Sequence, residues 1–157
     1  MPIYTPGKLT LRKTWQPMDT AAATYITSVE TADGQALEET TKIAIDNFVI
    51  GCKADGIWTA IKASCILAGA RTKEGAIVPL ANASAVAPTL NGTAGGWNYS
   101  RKTGLQGNGT DNYINSGRNN SPASGGDPQD NRHISAIATL TDTSTKALVA
   151  ARNAGNS

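Results

Sequence analysis

The spacing of apolar residues changes several times along this chain. Lys8 to Lys13, K-L-T-L-R-K, alternates polar and apolar residues and puts Leu9 and Leu11 on one face. That pattern suits a short strand or an extended arm. Pro2, Pro6 and Gly7 precede it and Trp15 follows it. Two readings stand side by side: an arm that packs on a neighbouring subunit, or an edge strand of the same chain. From Pro17 the apolar positions move to helical spacing, with Met18, Ala22, Tyr25, Ile26 and Val29 in one stripe. Asp19 and Thr20 stand where a carboxylate or hydroxyl can satisfy free backbone N–H groups. Asp33-Gly34 stops the run, because glycine takes the left-handed conformation that ends helices. A first helix is predicted over 18–31.

A second helix is predicted over 36–54. Leu37, Ala44, Ile45, Phe48, Val49 and Cys52 line its apolar face, and Glu38, Glu39, Lys42, Asp46 and Lys53 take the other. Acidic residues in the first turn and a lysine in the last agree with the helix dipole. Asp55-Gly56 then breaks the run. A third helix is predicted over 57–68, with Ile57, Trp58, Ile61, Cys65 and Ala68 facing inward and Gly69 as its stop.

After Ala70 the helical spacing fades. Ala76 to Leu80, A-I-V-P-L, reads as a short extended segment, and the small residues from Asn82 to Asn98 mark a domain boundary. Leu105 and the pair Tyr113-Ile114 predict two strands joined by a turn around Asn108-Gly109. Residues 116–132 form a long polar loop, a feature compact domains usually keep for function. His133 to Asp142 alternates as a strand, and Lys146 to Arg152 reads as a further strand or a helical turn. The organisation expected is an extended arm at 1–17, a helical module at 18–70, a linker at 71–98 and a β-rich part at 99–157. The fold class is α+β: an N-terminal arm and two to three helices, then a short, incomplete antiparallel β-sandwich-like part.

Composition sharpens this picture. The chain has one Phe, two Met and one His, and only 17% charged residues. Small polar residues bury little apolar area each, so the stability margin is thin and a homo-oligomer is expected. The net charge is +2 and the basic residues are scattered, which excludes the basic stripe of a nucleic-acid surface. No stretch approaches the twenty or so apolar residues of a membrane span. The first residues, M-P-I-Y-T-P-G-K, lack the apolar core of a signal peptide, so synthesis in a cytoplasm is expected. Cys52 and Cys65 read as small buried hydrophobes; with a single His they cannot complete a zinc site.

Candidate chemistry is sparse. His133 has no Ser or Cys partner at a recognisable spacing. Asp111, Asp127 and Asp130 lie outside any calcium-loop pattern and read as turn formers. The G-N-G and G-G pairs do not form a phosphate loop. Asn-x-Ser/Thr triplets at 82, 91, 98, 108 and 119 read as asparagine-rich loops in a chain with no secretory signal. No catalytic, cofactor-binding or metal-binding residue is assigned. Trp97, Tyr99 and Tyr113 are of the type that stacks on sugar faces, or that packs a core or interface.

Two stretches carry a resemblance. I-D-N-F-V-I-G-C-K-A-D-G-I-W-T-A-I-K (Ile45 to Lys62), with A-I-V-P-L and R-K-T-G-L-Q-G-N-G-T-D-N-Y-I-N after it, resembles proteins of tailed bacteriophages in which a small helical module precedes a β-sandwich. Gly104, Leu105, Asn108, Gly109, Thr110, Tyr113 and Ile114 are similar to the strand pair that opens the concanavalin-like, laminin-G-type jelly roll. A complete roll of that type needs many more strands than this chain supplies. The resemblance implies a non-enzymatic virion structural or assembly protein, in the tail fibre and adhesion apparatus or as a capsid decoration. It would be located in the virion after synthesis in the host cytoplasm, with other virion proteins as partners. Trp15, Phe48, Trp58 and Trp97 are the expected packing and anchoring residues, since aromatic anchors dominate interface energetics. The alternative is a carbohydrate-binding adhesion module that places Trp97, Tyr99 and Tyr113 on a host surface glycan. A glycoside hydrolase would need two facing carboxylates on neighbouring strands, and the predicted strands carry essentially none, Asp142 standing alone at the end of one.

Overall fold

The protein is described by a computed structural model over residues 18–81, 88–117 and 135–137. The expected arm 1–17 with Trp15, residues 118–132 of the polar loop, and the segment 146–152 lie outside the described residues. Of the strand expected over 133–142 only 135–137 are described, and they belong to no regular element.

Helix α1 spans Thr20–Asp33 and α2 spans Glu39–Ala54. Asp19 caps α1 as its sequence position predicts: the Ala21 N–H donates to Asp19 Oδ1 at 2.9 Å. Gly34 closes the helix at φ 66°, and its N–H donates to the Thr31 carbonyl; a side chain at that φ is strained. The two helices run antiparallel, as ion pairs at opposite ends require. Lys53 Nζ lies 2.7 Å from Asp19 Oδ1 at one end, and Lys42 Nζ lies 2.7 Å from Glu30 Oε1 at the other. Among the described residues no helix is long and apolar enough to cross a membrane.

The third helix expected over 57–68 does not form. A single 3-10 turn at Trp58–Ala60 is followed by extended chain. Cys65 makes an antiparallel bridge with Pro79, and the Leu80 N–H donates to the Ser64 carbonyl at 2.8 Å. Ile57, Ile61 and Cys65 are four residues apart, a spacing that fits a helix and equally one face of an extended strand. The backbone partner at 79–80 decides between the two. A short helix α3, Lys73–Ala76, lies between these paired segments.

Four three-residue strands follow, β1 Thr89–Asn91, β2 Asn98–Ser100, β3 Gly104–Gln106 and β4 Tyr113–Asn115. They form two antiparallel sheets of two strands each: β2 with β3, and β1 with β4 around them. Tyr99 faces Leu105 in the inner pair and Leu90 faces Ile114 in the outer one. The expected hairpin between Leu105 and Tyr113-Ile114 is therefore corrected. Both strands exist, but each pairs with an earlier one, because the turn at 101–103 closes β2 on β3 first. The α+β class expected from the sequence holds in the described residues, as three helices with two small antiparallel sheets.

The core is built from Ala22, Tyr25, Ile26 and Val29 of α1, Leu37, and Ile45 and Val49 of α2, covered by Ala70, Ala76 and Leu80. Val29 and Val49 are fully enclosed, each contributing about 1.5–3 kcal/mol of burial. Three residues expected on inward faces, Ala44, Phe48 and Ile57, are exposed. Phe48 is 51% exposed and Ile57 49%. With about 100° between successive helix residues, Phe48 lies roughly 70° from the centre of the Ile45–Val49–Cys52 stripe. It therefore stands at the edge of the buried face.

Candidate interaction surface

Helix α2 buries a narrower stripe than its composition allows. Ile45, Val49 and Cys52 face α1, whereas Ile43, Phe48 and Ile50 remain substantially exposed. Beside Phe48 lies an open groove of about 380 Å³, walled by Tyr25 and Val29 of α1, Ala44 and Ile45 of α2, and Ile66 of the extended segment. The lining is mostly apolar, with Thr41 and Arg101 among its polar side chains. Burial raises the Tyr25 hydroxyl far above its ordinary pKa, so that wall stays neutral. A groove of this size falls at the lower end of the range that holds small ligands or a few side chains.

A polar joint closes one end of the groove. Arg101, in the turn between β2 and β3, donates from both terminal nitrogens to the Glu38 carboxylate, with Nη1 at 2.7 Å from Oε1. Its Nε and Nη2 also donate to the Gly69 and Ala70 carbonyls. Arg71 adds a second cation, with Nη2 at 3.1 Å from Glu38 Oε1. The Arg101 hydrogen bonds, chiefly, hold the Glu38 carboxyl at about 2, well below its ordinary 4.5. The Tyr99 hydroxyl donates to the Ala70 carbonyl at 2.8 Å. The ribbon β2–β3 is thus tied to the helical pair by directional bonds.

Behind this joint sits Asp33, the buried polar residue at the end of α1. Its Oδ2 accepts from the Arg71 N–H at 2.7 Å, and its Oδ1 accepts from the Thr72 N–H at 2.9 Å and the Thr72 hydroxyl at 2.7 Å. The chain passes close beside it: a Cβ on Gly75 would meet Asp33 Oδ1 at 2.2 Å. Sequence reasoning read Asp33 only as part of a helix stop. The available signal was a carboxylate in the last turn of a helix, where the dipole disfavours it. A residue placed against the dipole has a partner that outweighs it.

The residues singled out from sequence are dispersed. Phe48 stands at the groove. Trp58 is half-buried against the core at the opposite end of the helical pair, with Lys53 Nζ 5.7 Å from its ring centre. Trp97 is half-buried, and its indole N–H donates to the Asn91 carbonyl at 3.2 Å. Tyr99 serves the joint, and Tyr113, 59% exposed, stands on β4 in the other sheet. The three aromatics named for glycan contact therefore occupy different settings. Cys65 is half-buried, its thiol raised by burial to about 11, and Cys52 is buried.

Asp111 is a loop-holding carboxylate. It accepts from the Thr93 N–H at 3.0 Å, the Thr93 hydroxyl at 2.9 Å and Asn108 Nδ2 at 2.6 Å. Those hydrogen bonds, from Asn108 and then Thr93, lower its pKa. Among the described residues no group of three or more His, Cys, Asp or Glu side chains converges on a metal-sized space. No protein family, curated protein or solved structure matches the chain.

Proposed function

We propose that this chain is a non-enzymatic structural subunit of a tailed-phage virion, either in the tail fibre and adhesion apparatus or on the capsid as a decoration. The assembly part of this reading is carried by one observation: the apolar groove beside the half-exposed Phe48. Contiguous exposed apolar surface on a small protein marks a site of association, and an aromatic at its lip is the residue type that anchors interfaces. The virion part rests on the resemblance of I-D-N-F-V-I-G-C-K-A-D-G-I-W-T-A-I-K to phage proteins.

In this reading the helical pair docks through the α2 groove. The joint at Glu38, Arg71 and Arg101 fixes the direction in which the ribbons leave the docked surface. Quantitative mass spectrometry of gradient-purified particles of the encoding phage tests it. A constant copy number per particle is expected; absence of the chain from particles overturns the reading. The alternative, a glycan-binding module, draws on Tyr113, whose ring is open to solvent. A glycan array that gives a signal removed by Tyr113→Ala would favour it over the assembly reading.

A further inference from the structure

We infer that the outward face of α2 pairs antiparallel with the same face of a second copy of this chain, across a two-fold axis beside Asn47. This goes beyond the assembly reading, which rests on the groove at Phe48, and it is read by a separate measurement.

Helix α2 carries two stripes. Ile45, Val49 and Cys52 are buried on the core side. Thr40, Ile43, Asn47, Ile50 and Ala54 recur at steps of three and four, the spacing of the a and d positions of a coiled coil. All five are exposed, Ile43 by 49% and Ile50 by 44%. At about 100° per residue this seam lies roughly 160° from the buried stripe and about 130° from Phe48. It is a second surface on the far side of the helix, not the rim of the groove.

The residues of the seam select a second copy as its occupant. Asn47 stands in the middle, where a wholly apolar partner would strip its amide of water without replacing the hydrogen bonds. A second Asn47 replaces them, because an amide carries both donors and an acceptor. With Asn47 set opposite Ile50 of the other copy, the two Asn47 side chains flank the axis, about 4.5 Å apart along it. The same register sets Ile43 opposite Ala54, so that each large side chain meets a smaller or polar one. A two-fold axis makes every such contact twice.

The flanking charges fix the direction. Glu39, Asp46 and Lys53 line one edge of the seam, and Ala44 and Gly51 line the other. Antiparallel pairing brings Asp46 of each copy alongside Lys53 of the other. Parallel pairing sets Glu39 and Asp46 against Ala44 and Gly51 instead, with no ion pair. Both charged groups also have partners within their own chain. Asp46 Oδ1 accepts from the Asp19 N–H at 2.8 Å, and Lys53 Nζ donates to both Asp19 carboxylate oxygens. Lys53 retains a third N–H, and its side chain is 38% exposed. Exposed ion pairs add little strength, so these select orientation. A seam of two heptads falls near the lower limit of about 1,000 Å² for a specific interface, and the dimer is expected to dissociate on dilution.

Sedimentation velocity of the full chain between about 5 and 500 µM tests this, together with native mass spectrometry of mixtures in which one chain is ¹⁵N-labelled. A monomer–dimer equilibrium is expected. Ile50→Lys, placed outside the core, lowers the dimer affinity at least about tenfold and leaves the helical circular dichroism unchanged. Asp46→Lys and Lys53→Asp each weaken self-association by a similar factor, since each sets like charges together twice. Their equimolar mixture forms the mixed-isotope dimer at close to the affinity of the unsubstituted chain. A chain that had merely lost structure would gain nothing from mixing. Three results would each overturn the inference: monomer throughout the range, a dimer that survives Ile50→Lys, or no preference for the mixed-isotope dimer between charge variants that keep their helical circular dichroism. A dimer lost with Phe48→Ala and kept with Ile50→Lys would remove this interface and leave the groove reading standing.

Discussion

In residues 18–81 the fold is held by enclosed apolar side chains: Val29 and Val49 are fully buried, with Ala22, Tyr25, Ile26 and Ile45 around them. In residues 88–117 no described residue is buried. Order there comes from side-chain amides and carboxylates bonded to backbone atoms. Asn108 Oδ1 accepts from the N–H groups of Thr110, Asp111 and Asn112, and Asn112 Nδ2 donates to the Asn91 and Thr93 carbonyls. The comparison teaches why the two parts differ in what they tolerate. Apolar burial is undirected and cooperative, so the helical part loses its structure as a unit. A net hydrogen bond near water contributes only about 1 kcal/mol, so the ribbons depend on particular atoms and open locally. Arg101 and Tyr99 carry the link between the two.

The largest expected effect lies where a polar group serves the buried part. Asp33→Ala leaves the N–H groups of Arg71 and Thr72 and the Thr72 hydroxyl without their acceptor. A loss of about 3–5 kcal/mol is expected in urea unfolding; a loss under about 1 kcal/mol would mean that Asp33 does not organise the 71–72 turn. Next comes Val49→Ala, expected to cost ~2 kcal/mol at unchanged m-value. Asn108→Ala sharpens the contrast from the other side. Amides 110–112 should lose about tenfold in hydrogen-exchange protection, while global stability changes by less than about 0.5 kcal/mol. A drop in global stability comparable to that of Val49→Ala would erase the distinction between the two parts.

The smallest effect is confined to the joint and depends on pH. The Glu38 carboxyl is held at about 2 against an ordinary 4.5. A depressed carboxylate stabilises the folded state fully above its unfolded value and loses that contribution as pH falls through the folded one. Protection of the Gly69 amide, which donates to the Arg101 carbonyl, should therefore decline between pH 4.5 and pH 2 after correction for intrinsic exchange. Glu38→Gln should flatten this decline. A profile unchanged by the substitution would assign the acid sensitivity to other carboxylates, Asp19 and Glu30 first, since both are lowered by their lysine partners.

The same contrast explains how much could be read in the sequence. Helices α1 and α2 were legible because a 3.6-residue stripe, the Asp19 cap and the Gly34 stop all agree. The failure at 57–68 has a physical cause: a four-residue apolar spacing satisfies two periods, and a backbone partner fifteen or so residues later chose between them. Strands β3 and β4 were visible as short apolar runs, but three-residue strands carry too little pattern to name their partners. Phe48 was expected to pack or anchor, and its exposure was not foreseen, because a stripe read from sequence does not reveal how wide a face the neighbour covers. Arg101 and Glu38 are 63 positions apart, and no local signal joins them. The polar joint was therefore invisible, whereas its apolar neighbour Tyr25 was placed correctly.

Native-state hydrogen exchange of the full chain across low urea concentrations tests the division most directly. Core amides in α1 and α2, such as those of Ile26 and Val49, should exchange only through global unfolding, with a free energy that falls as urea rises. Amides of β1, β3 and the 108–112 loop should exchange at a lower free energy that barely responds to urea. A single urea dependence shared by both sets, converging on one free energy, would show one cooperative unit and contradict the account.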